Sequence, residues 1–225
     1  MFRRFRYPLL GSLLLASLSP VAALAQAEAQ GFYVTVYGQY SRLGSSNLSE
    51  SGALGAGNGL RAEFGSGSGF GADFGWRYGN GWAAEVEWNY RSHALDSLKQ
   101  GGSTLSRDGD FASNILFVNG LRRFPGNGAL TPYLGGGIGW VQEIDFDFKP
   151  SAGGTSRSYS GNKFAFQLIA GIEYALTPNW RLTADARWLR AGSVQLDNEA
   201  GNGGGRAGPL DYNPVSVQVG LRYSF

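Results

Sequence analysis

Apolar and polar residues alternate at every second position through most of this chain. The cleanest instance is Trp82-Ala83-Ala84-Glu85-Val86-Glu87-Trp88-Asn89-Tyr90-Arg91. In a helix, Glu85, Glu87 and Asn89 would spread around the surface, whereas a strand puts them on one face. The end of the chain repeats the pattern, with Val215, Val217, Val219, Leu221, Tyr223 and Phe225 set against Ser216, Gln218, Gly220, Arg222 and Ser224. Eight runs of this kind are predicted as strands: 31–41, 67–78, 82–91, 111–124, 131–147, 163–176, 180–190 and 215–225. Short connections at 79–81, 125–130 and 177–179 alternate with long ones at 43–66, 94–110, 148–162 and 191–212. That rhythm describes an up-and-down meander with two unlike ends. The Gly/Ser/Asn-rich long connections read as mobile loops, where binding function commonly sits.

The polarity of the two strand faces separates a soluble barrel from a membrane one. One face carries Phe32, Val34, Val36, Phe74, Val86, Leu134, Ile138, Leu168, Ile172 and Leu182 together with most of the large aromatics, too much apolar bulk for a small barrel's interior. This face is expected to point outward. For 111–124 the phase is ambiguous, and Leu116, Val118 and Phe124 are placed outward. The opposite face carries Tyr37, Gln39, Gln167, Gln218 and the charged residues Asp73, Arg77, Glu85, Glu87, Arg91, Glu173, Arg181, Asp185, Arg187 and Arg222, with glycines between them. This is a polar interior. Trp180 and Trp188 lie eight residues apart on one face. At about 3.3 Å per residue and a tilt of about 40° they are separated by roughly 20 Å along the membrane normal, close to the height of an apolar band. Trp76, Tyr78, Trp82, Tyr174, Tyr223 and Phe225 would line the short-turn interface with Trp180. Tyr40, Phe70, Trp88, Tyr90, Trp140, Phe164 and Phe166 would line the long-loop one with Trp188. A Val217→Arg change is accordingly expected to impair assembly more than Gln218→Arg.

Composition narrows the class further. Among 225 residues there are 36 glycines, 14 Phe, 11 Tyr and 6 Trp, no cysteine, and 16% charged residues. Disorder and collagen-like readings fail on the aromatic content, and disulfide or thiolate chemistry fails on the missing cysteine. At the start of the chain, Arg3, Arg4 and Arg6 precede an apolar run through Leu13, Leu14 and Leu15, and Ala23-Leu24-Ala25 supplies a small-x-small cleavage pattern. Residues 1–25 are read as a secretory signal peptide, too short in its apolar core to span a bilayer, with one domain at 26–225. Without the three signal arginines, sixteen basic residues face seventeen acidic ones. No basic surplus remains to suggest nucleic acid.

Gly69-Phe70-Gly71-Ala72-Asp73-Phe74-Gly75-Trp76-Arg77, the turn Gly79-Asn80-Gly81, Thr131-Pro132-Tyr133-Leu134-Gly135-Gly136-Gly137-Ile138-Gly139, Leu176-Thr177-Pro178-Asn179-Trp180 and the terminal Leu221-Arg222-Tyr223-Ser224-Phe225 together resemble the small eight-stranded outer-membrane β-barrel family, the porin-family or opacity-like barrels. The resemblance implies an all-β fold, an eight-stranded antiparallel transmembrane barrel in a Gram-negative outer membrane, with both termini on the periplasmic side. It also implies that Leu221, Tyr223 and Phe225 form the signal read by the outer-membrane assembly machinery. Outer-membrane lipid and lipopolysaccharide are the other expected partners, and a monomer is expected. Nothing follows Phe225, so the peptidoglycan-binding domain of larger OmpA-type proteins is not expected.

The chemistry in the sequence is sparse. Five acids (Asp73, Glu85, Glu87, Glu173, Asp185) face five bases (Arg77, Arg91, Arg181, Arg187, Arg222) in the expected lumen. Such a set either fills a narrow barrel as a structural network or gates a narrow polar path. Inward glycines at 135, 137 and 139, and at 69, 71 and 75, make room for large side chains rather than a phosphate loop, since no helix follows them. The single histidine, His93, lies near Ser92, Asp96 and Ser97 but has no third group to hold it as a base. Asp197, Glu199 and Asp211 lack calcium-loop spacing and are read as part of a flexible loop. No cofactor, metal or catalytic residue is expected. A structural or surface protein is the first reading, a narrow channel the second, and a lipid-modifying enzyme a remote third.

Overall fold

The computed structural model describes residues 30–51, 60–100, 103–106, 108–124, 126, 128–149, 157–198 and 206–225, so the expected signal peptide lies outside the described residues. Twelve strands run in chain order: β1 (Gly31–Arg42), β2 (Ser46–Ser51), β3 (Leu60–Arg77), β4 (Trp82–Gln100), β5 (Ser103–Ser106), β6 (Asp108–Arg123), β7 (Leu130–Lys149), β8 (Arg157–Ala175), β9 (Trp180–Arg190), β10 (Ser193–Asn198), β11 (Arg206–Asp211) and β12 (Val215–Ser224). Eight of them pair antiparallel in the order β1-β3-β4-β6-β7-β8-β9-β12, and β12 returns to β1 through Val34↔Tyr223 and Tyr40↔Val217. The meander therefore closes into a barrel with no free edge. One short turn shows the local chemistry. Gly81 takes φ +82°, open to a residue without Cβ, while Asn80 Oδ1 accepts the Trp82 amide at 3.2 Å.

Side chains alternate strictly about this wall. Val36, at 61% exposure, and Ile138, at 73%, stand outside, while Tyr33, Glu87 and Arg91 are buried inside. On β6, Leu116 and Val118 are exposed, as is Phe124 just after it, and Ile115, Phe117, Leu121 and Arg123 are buried. The exterior aromatics gather into two rings. Phe32–Trp76 at 4.3 Å, Trp180–Tyr223 at 4.9 Å and Tyr223–Phe225 at 5.2 Å lie at the short-turn rim, where Tyr78, Trp82 and the half-exposed Tyr174 also stand. Phe70–Trp88 and Phe70–Tyr90 at 5.6 Å, Trp140–Phe164 at 4.6 Å and Phe166–Trp188 at 5.6 Å lie at the other, with Tyr40.

The long connections differ from the sequence expectation. Strands β3, β4, β7 and β8 run 18 to 20 residues, well past the roughly 9–11 a bilayer needs, whereas β1, β9 and β12 stop at 10 to 12. The lower side of the wall is built up by the segments read as mobile loops. β10 pairs with β8, β11 with β10, β2 with β11 and β3 with β2, so the sheet continues upward. Asp197 and Asp211 lie on β10 and β11, while Glu199 falls outside the described residues. The reason is visible on β4. Below Tyr90 the outward residues are Trp82, Val86 and Trp88 and the inward ones Glu85, Glu87 and Asn89. Above it the outward ones are Ser92, Ala94 and Asp96 and the inward ones His93 and Leu95. Period 2 persists while polarity inverts, as a strand must when the medium outside changes from lipid to water. Phe64, Leu95, Phe111 and Tyr212 form an apolar plug inside this upper storey, with ring centroids 5.3 Å apart for Phe64–Phe111 and Phe111–Tyr212.

Candidate functional site

The lumen is crowded because glycine faces bulk across several rungs. Tyr37 pairs with Gly71 and Tyr133 with Gly171, and a Cβ at either glycine would fall on the tyrosine ring. Each phenol can then lie across the neighbouring strand and reach the barrel axis. The Tyr37 hydroxyl donates to Glu87 Oε1 at 2.5 Å, and the Tyr133 hydroxyl to Asp185 Oδ2 at 2.8 Å.

Glu87 is the hub of the lumen. Its carboxylate also accepts from Asn119 Nδ2 at 2.7 Å, Gln167 Nε2 at 2.9 Å and the Arg187 guanidinium. These donors come from β1, β6, β8 and β9, and β9 stands four strands from β4 in a barrel of eight. The Glu87–Arg187 pair, at 0% and 4% side-chain exposure, thus crosses the full width of the lumen. Arg187 Nε donates in addition to Asp185 Oδ1 at 2.8 Å.

A second hub lies nearer the short-turn rim. Arg222 pairs with Glu173, lies 3.4 Å from Glu85 and 3.7 Å from Asp73, donates to Thr35 at 2.8 Å and stacks 4.2 Å over the Tyr33 ring. Arg123 reaches Glu173 at 2.6 Å and Arg181 reaches it at 3.8 Å. Arg77 donates to Ser224 at 2.9 Å and lies 5.3 Å over Tyr33. Four guanidiniums thus surround the lower carboxylates, in the bonded pattern buried charges require.

The structure brings nine of the ten expected lumen charges into these two hubs and leaves Arg91 out. No ion pair reaches Arg91 among the described residues. Its Nε donates to Asn89 Oδ1 at 2.7 Å, and the Tyr212 hydroxyl lies alongside. The five-against-five balance is corrected by Arg123, which follows from the phase of β6: with Leu116 and Val118 outward, position 123 must face in. Tyr33, Asn89, Asn119 and Tyr133 also join the network from outside the expected set. His93 meets a residue far away in sequence. Its Nε2 lies 2.8 Å from Ser41 Oγ, while Ser92 and Asp96 face outward and Ser97 bonds Glu63. The Ser41–His93 pair is sealed, and among the described residues His93 Nδ1 has no hydrogen-bond partner to orient the ring as a base.

At the top of the lumen Tyr212, from the β11–β12 connection, meets Ser113 of β6 at 2.7 Å, again spanning opposite walls. On the outer face of this storey Lys99 lies 2.7 Å and Arg61 3.4 Å from Glu63. The Lys99 and Ser97 contacts hold the exposed Glu63 carboxyl below its ordinary range.

Residues 11–225 match the family model described as "Outer membrane protein beta-barrel domain". The chain belongs to this family of outer-membrane β-barrels. Among solved structures, OprG of Pseudomonas aeruginosa superimposes with a TM-score of 0.64 at 17% identity, covering 87% of this chain and 96% of that one. A major outer membrane protein from Thermus thermophilus gives 0.59 at 13% identity, over 88% and 100%. Neisserial surface protein A gives 0.50 at 19% identity, again over 88% and 100%. Such identities show the fold alone. An uncharacterised protein of Brucella abortus (strain 2308) is 33% identical over 130 residues, 48% of this chain and 45% of that protein. The chain spans about half the length of the relatives of this kind that it matches. Members of the family reside in the outer membrane.

Proposed function

We propose that the protein is a closed, non-conducting and non-enzymatic scaffold that holds a β-structured extension above the outer membrane as a contact surface. The observation that carries this reading is the Glu87–Arg187 pair. It joins opposite walls at a fully buried level, with Tyr37, Asn119 and Gln167 filling the remaining directions around the carboxylate. A conducting path would need a continuous polar opening past this level, and the side chains that would line it are bonded to one another. The upper storey supports the display role, because a paired sheet presents its outer residues in fixed positions, as loops on their own do not. Outer-membrane lipid and lipopolysaccharide then surround the wall, and assembly machinery engages the terminal Leu221, Tyr223 and Phe225.

The orientation has a direct test, helped by the absence of cysteine. Thr104→Cys lies on β5 at the extended rim, and Gly79→Cys at a short turn where an added Cβ meets nothing. A membrane-impermeant maleimide applied to intact cells is expected to label the first variant. The second is labelled only after the outer membrane is opened. The reverse pattern would remove the display reading.

A further inference from the structure

On the flank where β1, β9 and β12 stop early, the outer face turns cationic just above its aromatic ring. Arg42 ends β1 and Arg190 ends β9, both exposed on the outer side of the wall. The register sets them on either side of β12. On one rung Trp188 pairs with Val215 and Val215 with Arg42. Two residues further along β9, Arg190 faces Asn213 across a ladder held by Leu189 N–H to the Pro214 carbonyl at 3.1 Å and Ala191 N–H to the Tyr212 carbonyl at 3.0 Å. With strands about 4.8 Å apart and a rise of about 3.3 Å per residue, the two arginines start about 10 Å apart across the sheet and about 7 Å apart along it. The half-buried Asn213 stands between them.

Arg42 Nε donates to the Tyr40 hydroxyl at 3.4 Å, and its guanidinium lies 6.0 Å over that ring. No ion pair reaches Arg42 or Arg190 among the described residues. The outward cation on the next strand is different, because Arg61 of β3 donates to Ser45 at 2.8 Å and pairs with Glu63. Away from the two free arginines the wall is apolar. Val215, Val217 and Val219 run down β12, each more than half exposed, beside the small residues Ala184 and Gly38. A Cβ at Gly38 would meet nothing, so the strip is a shallow track.

Interfacial Trp and Tyr sit at headgroup level in a bilayer, and a guanidinium fork matches the oxygens of a phosphate. Trp188 and Tyr40 border the arginine pair, which puts both cations at that level. We infer that Arg42 and Arg190 form a binding site for the phosphorylated headgroup of an outer-leaflet glycolipid, the lipid A part of lipopolysaccharide, with its acyl chains along the β12 valines. The cations select the phosphate, and the track selects a lipid over a free ion. The choice of leaflet, and with it of glycolipid over phospholipid, rests on the orientation proposed above.

The test is native mass spectrometry of the full mature protein, folded in neutral detergent, with phosphorylated lipid A, its dephosphorylated form and phosphatidylglycerol added in turn. The wild type is expected to hold phosphorylated lipid A roughly tenfold more tightly than the Arg42→Gln/Arg190→Gln double variant, the scale of one lost charged hydrogen bond. Arg122→Gln, which removes the outward cation 5.5 Å over Trp82 at the opposite rim, is expected to bind as the wild type does. Both substituted positions are exposed, and the migration of unheated samples checks folding. Should the double variant not fold, Arg190→Gln alone decides, with an intermediate loss expected. Equal affinity for the dephosphorylated form, equally tight phosphatidylglycerol, or undiminished binding by the variants would overturn the inference. Binding to purified protein reads the site whichever way the barrel faces. Reversed maleimide labelling would overturn the glycolipid assignment separately, by moving the site to the other leaflet.

Discussion

Replacing Arg187 with methionine is expected to cost the folded barrel about 3–5 kcal/mol, the range found when one partner of a buried ion pair is removed. The change strips Glu87 of its cross-lumen cation and Asp185 of its 2.8 Å bond from Nε, leaving two buried carboxylates short of compensation. Removing the other partner too, in Glu87→Leu with Arg187→Met, is expected to restore only part of the loss. Tyr37, Asn119 and Gln167 would then have donors aimed at an acceptor no longer there. Denaturant unfolding in detergent, read by tryptophan fluorescence and by the migration of unheated samples, measures both variants. A loss below about 1 kcal/mol for Arg187→Met would show that the pair does not hold the walls together.

The second large effect is on the lipid face. Val219 pairs with Ala184, midway between Trp180 and Trp188 on β9, and with Gly38 on β1, so it sits midway between the two aromatic rings, the expected bilayer midplane. Val219→Arg is expected to cost about 2–4 kcal/mol there. Val217, paired with Ala186 and Tyr40, lies closer to the aromatic ring, and its arginine variant is expected to lose less. Gln218→Arg is not the mild comparison that alternation alone suggests. Gln218 is 2% exposed, bonds Gln39 at 3.2 Å and shares a rung with Arg91, so a second guanidinium would enter a filled and already positive level. Folding yield and unfolding midpoint in lipid rank the three. Equal cost at 217 and 219 would contradict the assigned depth.

How much of this is legible in the sequence depends on the medium around each residue. Within the lipid the rule is simple, and Trp82 to Arg91 declares its strand, its phase and its inward acids without further help. The same rule fails above Tyr90 because a wall in water reverses it. Leu95 and Phe64 turn inward while Asp96 and Glu63 turn out, and a search for outward apolar residues reads those segments as loops. Alternation finds the lumen charges but not their partners. Glu87 meets Arg187 a hundred residues away, and His93 meets Ser41, because barrel closure and shear decide those encounters. Arg123 is readable once β6 has a phase. The isolation of Arg91 is not, since it depends on Asn89 standing between that side chain and Glu87.

The central claim is that side chains close the lumen. The most direct measurement is single-channel recording of the full mature protein, purified from outer membranes and shown to be folded, in a planar lipid bilayer. The account predicts a silent bilayer across applied voltage, with no discrete steps. A steady, ion-selective current from the folded wild-type barrel would contradict it.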